Sequence, residues 1–183
     1  MKRTGTGTQK SSQTKLPAAP AEGAEFASPA CYAHEVDPNY MMAPPPIPAD
    51  ELLALLNSLL EAERAGAKTI SFYLRDLPAG PARDALAAVG VDEGRYVAML
   101  RHLITRLGGT PSPATGSFFD KAQKIDGLRD RLAFLDRGQG WVARKLEETL
   151  PRLRDAEARA ALDEMCRTHR DNIRRCGELA QHL

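Results

Sequence analysis

Leu59-Leu60-Glu61-Ala62-Glu63-Arg64-Ala65-Gly66-Ala67 lies inside a longer amphipathic segment that runs from Leu52 to Leu77. Apolar or small residues recur there at Leu52, Leu56, Leu59, Gly66, Ile70, Tyr73 and Leu77, and with Glu63 between Leu59 and Gly66 every step is three or four. That spacing is the mark of one buried helical face. Glu63 falls in the gap at the centre of the stripe. A carboxylate there costs several kcal/mol unless it is paired, protonated or bound to a cation. The remaining chain is therefore read for groups that answer it.

Three further helices are expected downstream, each with the same feature. The second, about 82–107, carries Leu86, Val89, Glu93, Tyr96, Leu100, Leu103 and Leu107 on one face. Gly108-Gly109-Thr110-Pro111 stops it, glycine then proline. A long connection, about 110–125, contains Phe118-Phe119, expected as a short helix packed across the others. The third helix, about 126–150, carries Leu128, Leu132, Leu135, Gln139, Val142, Leu146 and Leu150. Pro151 opens a tight link. The fourth, from about Asp155, carries Leu162, Cys166, His169, Ile173, Cys176, Ala180 and Leu183. Each stripe is apolar at both ends and polar near its middle: Glu63, then Glu93 with Tyr96, then Gln139, then Cys166 with His169. Antiparallel helices with two short links and one long crossover put these centres in one layer, where helix bundles build cofactor sites. One polar residue in a seam often does no more than fix register. One interruption at mid-height on every helix favours a site. Gly66, Gly94, Gly138 and Gly140 cluster around the layer. Each costs a helix about 0.5–1 kcal/mol against Ala, which suggests room for a ligand or a close backbone approach.

The totals narrow the function classes. The chain has 183 residues, enough for one domain with a real core, and a formal net charge of +1. Acids and bases are interspersed, so neither nucleic acid nor an anionic membrane is an expected partner. No apolar run approaches 18 residues, so no membrane span is expected. The start, Met1-Lys2-Arg3-Thr4-Gly5, is basic without an apolar stretch, unlike a secretory signal. Three cysteines, Cys31, Cys166 and Cys176, make no disulfide framework and fit a reducing cytoplasm. No stretch alternates with period two, so no sheet is expected.

The expected plan has three parts. Residues 1–28 form a disordered tail rich in Gly, Ser, Thr, Gln, Ala and Pro. Residues 29–48 form an arm that carries Cys31-x-x-His34 and the polyproline spacer Pro44-Pro45-Pro46-Ile47-Pro48. Residues 49–183 form an all-α domain that opens with Asp50 as N-cap. The interleaved charges of the fourth helix read as a solvated face. His102 and His182 read as surface residues. Trp141 is expected to pack on a neighbouring helix or on the second copy in a homodimer.

At this point the pattern resembles the ferritin-like superfamily of bacterioferritins, rubrerythrins and related carboxylate-bridged di-metal proteins. The resemblance covers about residues 50–183 and implies an antiparallel four-helix bundle with one long crossover between the second and third helices. The family's ligands are a Glu from each of two helices and Glu-x-x-His from each of the other two. Glu63 falls on the first-helix glutamate. Glu93 falls on the second-helix glutamate, with Tyr96 where the family has His. Gln139, or Asp136 one turn earlier, stands for the third-helix glutamate. Cys166-Arg167-Thr168-His169 stands for Glu-x-x-His and keeps the His. The segment Ser28 to Glu35 with its proline spacer is also similar to a bacterial ferritin-like branch to which no activity is attached.

Three of the usual ligand types remain: Glu63, Glu93 and His169. Two carboxylates and one imidazole suit a mononuclear iron or manganese site with open positions, and hence an oxidoreductase with a small-molecule substrate. Tyr96 is then a proton donor, redox partner or further ligand. Cys166 is a thiolate if a metal lowers its pKa. Cys31 and His34 complete or cover the site from the arm, although one Cys-x-x-His is a weak metal signal. In the alternative, no metal is bound. The polar layer then only fixes helix register, and the protein is a binding or scaffold module.

Overall fold

A computed structural model describes residues 44–181. The elements are helix α1 (Ala49–Tyr73), helix α2 (Pro81–Arg106), short helix α3 (Phe118–Ala122), helix α4 (Leu128–Thr149), a 3-10 turn (Leu150–Arg152) and helix α5 (Ala156–Gln181). No strand occurs among the described residues. No described helix is long and apolar enough to cross a membrane. The arm residues Cys31 and His34, and His182 and Leu183 at the other end, lie outside the described residues.

Helix ends follow from local chemistry, with one departure from the sequence reading. Asp50 is not the N-cap of α1. Pro48 holds that position, and no side chain caps the helix. The Pro48 carbonyl accepts the Leu52 N–H at 2.9 Å, and Asp50 and Glu51 sit in the first turn. Negative charge there still complements the helix dipole. At the end of α2, Gly108 adopts φ +80°. This turns the chain so that the Gly109 N–H reaches the Ile104 carbonyl at 2.9 Å. Asp155 caps α5: its Oδ1 accepts the Ala158 N–H at 2.7 Å.

Helices α1 and α2 pack as one pair, and α4 and α5 as another; α2 meets α5 and α1 meets α4. Two apolar clusters result. One holds Leu56, Leu59, Leu100, Leu103, Leu146 and Leu162. The other holds Ile70, Tyr73, Leu86, Val89, Leu132, Leu135 and Cys176. All four long helices contribute to both. Each buried Leu contributes about 2 kcal/mol of transfer free energy. Between the clusters, in sequence along every long helix, lie Glu63, Glu93, Gln139 and His169. The face of α5 differs in detail from the expectation. Met165 and Asn172 are buried, while Ile173 is only partly so.

The connection after α2 is strapped along α1. Asn57 donates to the Thr110 carbonyl at 3.3 Å, and the Ser112 N–H donates to Asn57 Oδ1 at 2.6 Å. Arg64 donates to the carbonyls of Ser112 and Ala114. The Ser112 hydroxyl donates to Glu61 Oε1, and the Gly116 N–H reaches the Glu61 carbonyl at 3.0 Å. These bonds satisfy loop backbone that would otherwise be orphaned. They also deliver Phe118 and α3 to the side of the polar layer.

Candidate metal centre

Glu63 comes from the middle of α1, Glu93 from α2 and His169 from α5. They are 1%, 3% and 1% exposed. One ligand atom from each lies within 4.8 Å of the other two. This buried group can hold a metal ion. Its remaining bonds show what it needs. His169 Nδ1 lies 3.0 Å from the Met165 carbonyl, which only accepts, so Nδ1 carries the proton. In the neutral ring Nε2 is then a lone pair, and it faces Glu63 Oε1 at 3.2 Å. Glu63 Oε2 is buried with no hydrogen-bond partner among the described residues. Two carboxyl groups and a ring lone pair thus converge with no donor among them, an arrangement that a proton or a cation completes.

The electrostatics agree. Burial raises the Glu63 carboxyl to about 8. Burial, and then the neighbouring Glu63, hold Glu93 well above the ordinary carboxylate range. Burial keeps His169 below its ordinary value. Without a cation the cheapest state of the layer near neutral pH is two protonated carboxyls and a neutral imidazole. A dication would replace those protons and satisfy the same atoms.

Gln139, 5% exposed, donates through Nε2 to Glu93 Oε1, while its own Oε1 has no partner among the described residues. It therefore joins the layer as a group that orients Glu93. Asp136, the alternative one turn earlier, is outside the metal-ligand group, and burial raises its carboxyl. Tyr96 is buried with its ring centroid 5.7 Å from that of His169, but its hydroxyl takes a hydrogen bond from Arg95 at 2.8 Å. The Cys166 thiol meets the Ala143 carbonyl at 3.7 Å, and burial pushes it up from its ordinary value. Cys166 lies outside the group formed by Glu63, Glu93 and His169.

The glycines divide. A Cβ at Gly66 would lie within 2.9 Å of every heavy atom of the Glu93 carboxyl group. A Cβ at Gly138 would lie 2.8 Å from the Phe118 ring. Both glycines make space for a neighbouring side chain. Gly94 does not: a Cβ there would meet nothing within 4 Å. Sequence reasoning missed the cavity that opens beside the layer. It is about 560 Å³, reaches Glu63, Glu93 and Gln139, and is bordered by Phe118, Phe134 and Trp141. Trp141 is 37% exposed at its edge, and His102 is exposed as expected.

No curated protein and no solved structure matches the chain. The family described as "Domain of unknown function (DUF6306)" matches residues 50–178, from the first turn of α1 to near the end of α5. The chain belongs to that family.

Proposed function

We propose that the protein is a ferritin-like four-helix-bundle metalloprotein. In this reading Glu63, Glu93 and His169 hold one iron or manganese ion, and the usual second metal is lost. The observation that carries it is the convergence of three buried ligand atoms within 4.8 Å, with Glu63 Oε2 left without a partner among the described residues. Two carboxylates would balance a dication, and a set rich in oxygen with one imidazole suits iron and manganese. When bound, such an ion supplies Lewis acidity and one-electron exchange at its open positions. Met165 fixes the tautomer of His169, Gln139 orients Glu93, and the two apolar clusters flank the layer along the helices on either side.

A second reading is favoured by the bond between His169 Nε2 and Glu63 Oε1. A protonated Glu63 can donate there, and the layer then stands as a metal-free network that specifies helix register. Elemental analysis separates the two. Purified protein loaded anaerobically with Fe(II) or Mn(II) and then desalted should retain close to one equivalent, and Glu63→Ala and His169→Ala should retain none. Absence of retained metal in the intact chain leaves the second reading.

A further inference from the structure

The cavity beside the layer has the parts of a small-molecule site, and its volume of about 560 Å³ falls in the range of such sites. Its walls are aromatic. Phe118 and Phe134 stack with centroids 4.2 Å apart, and Gly138 provides the space that Phe118 fills. Trp141 borders the same cavity and is partly exposed. Its outer edge is cationic. Arg137 and Lys121 both border it, both are exposed, and neither has a carboxylate partner among the described residues; Arg137 lies over the Phe134 ring, 5.3 Å from its centroid. Glu61, the acid of the rim, accepts the Ser112 hydroxyl. At the inner end lies Gln139 Oε1, a buried acceptor with no partner among the described residues, on a side chain that is 5% exposed.

We propose that this cavity binds a single-ring aromatic acid. The ring lies between Trp141 and the Phe118–Phe134 pair. The carboxylate meets Arg137 and Lys121, and a ring hydroxyl or amino group donates to Gln139 Oε1. Each contact answers a feature of the cavity: an exposed indole, two cations without a carboxylate partner among the described residues, and a buried acceptor without a donor among them. The inference extends the metal reading and rests on it for any reaction at Glu63 and Glu93. Recognition itself uses only side chains of the chain.

Trp141 is the only tryptophan of the chain, so its fluorescence reports the cavity directly. The test is a titration of the full chain with 4-hydroxybenzoate, after chelator treatment and again after Mn(II) loading. Saturable quenching is expected in both forms. Benzoate, which lacks the inner donor, and phenol, which lacks the carboxylate, should each bind about tenfold more weakly. Arg137→Ala, an exposed site that should not disturb folding, should weaken 4-hydroxybenzoate about tenfold and leave phenol unchanged. No quenching by any of the three probes would overturn the proposal, as would equal affinities for all three. A Trp141 signal that changes with protein concentration alone would assign this face to contact between copies and overturn it too. Quenching without metal retention would sink the metal reading alone. Metal retention without quenching would sink this inference alone.

Discussion

The Glu93 carboxyl group occupies the space that a side chain at Gly66 would fill. Glycine on α1 thus sets where a carboxylate on α2 can stand, one turn along from Glu63. The carboxyl is the far end of a flexible side chain, so a methyl at residue 66 would displace it rather than break the helix. Gly66→Ala should therefore change stability by no more than about 1 kcal/mol, with the gain in helix propensity offsetting part of the strain. Metal affinity should fall about tenfold or more. Urea unfolding and a metal titration on the same preparation check this. A variant that binds metal as tightly as the natural chain would show that Glu93 need not stand there.

The layer makes a prediction about pH. Glu63 in the folded chain holds its proton up to about 8, against 4.5 for the ordinary group, and burial raises Glu93 in the same direction. The folded state therefore binds more protons than the unfolded one above about 4.5. The contribution is complete below that pH and is lost as pH rises through 8. His169 works the other way. Its depressed value contributes stability above 6.5 that is lost as pH falls. Metal-free protein should thus lose stability as pH rises from 7 to 8, by about 1 kcal/mol from Glu63 alone. Glu63→Gln should flatten that slope. Urea midpoints at the two pH values decide it; a natural chain that gains stability across this window would contradict the protonated layer.

Both described thiols should be inert in the native state. Cys166 and Cys176 are buried, and burial raises both, Cys176 to about 11. The thiolate is the nucleophile, so neither should react with iodoacetamide at pH 8 within the time that labels them fully in denaturant. Peptide mapping by mass spectrometry reads each cysteine separately. Rapid native labelling of Cys166 would mean that α5 opens locally.

Asp155 has two tasks, capping α5 through the Ala158 N–H and pairing with Arg106 at 2.6 Å. Asp155→Ala should cost about 1–2 kcal/mol, mostly from the lost cap, because the ion pair is partly exposed and screened. Asp155→Asn should recover most of the loss, since an amide oxygen can accept the same N–H. A urea series on the three chains checks the order. An asparagine variant as weak as the alanine variant would put the weight on the ion pair instead.

Much of this was legible in the chain before folding. The three-and-four spacing of Leu52, Leu56, Leu59, Ile70 and Tyr73 marks a buried face, because helical geometry brings such residues to one side whatever packs against them. The same periodicity places Glu63, Glu93, Gln139 and His169 inside. The helical class, the short helix at Phe118 and the stop at Gly108 follow from local chemistry. Asp50 misled because a good capping residue two positions late is only a first-turn acid. Gly94 misled because a glycine in a sequence does not say whether anything approaches it.

Spacing along one helix says nothing about what lies opposite, and this limits what the sequence by itself determines to faces, breaks and the polarity of each position. The tertiary structure alone decided that Gly66 faces Glu93, that Tyr96 bonds to Arg95 and Cys166 to a backbone carbonyl, and that Asp136 stands aside while Gln139 joins the layer. It also decided that the strapped connection leaves a cavity walled by aromatic rings. These depend on rotation and separation between helices. Side chains distant in sequence set both, and no local pattern records them.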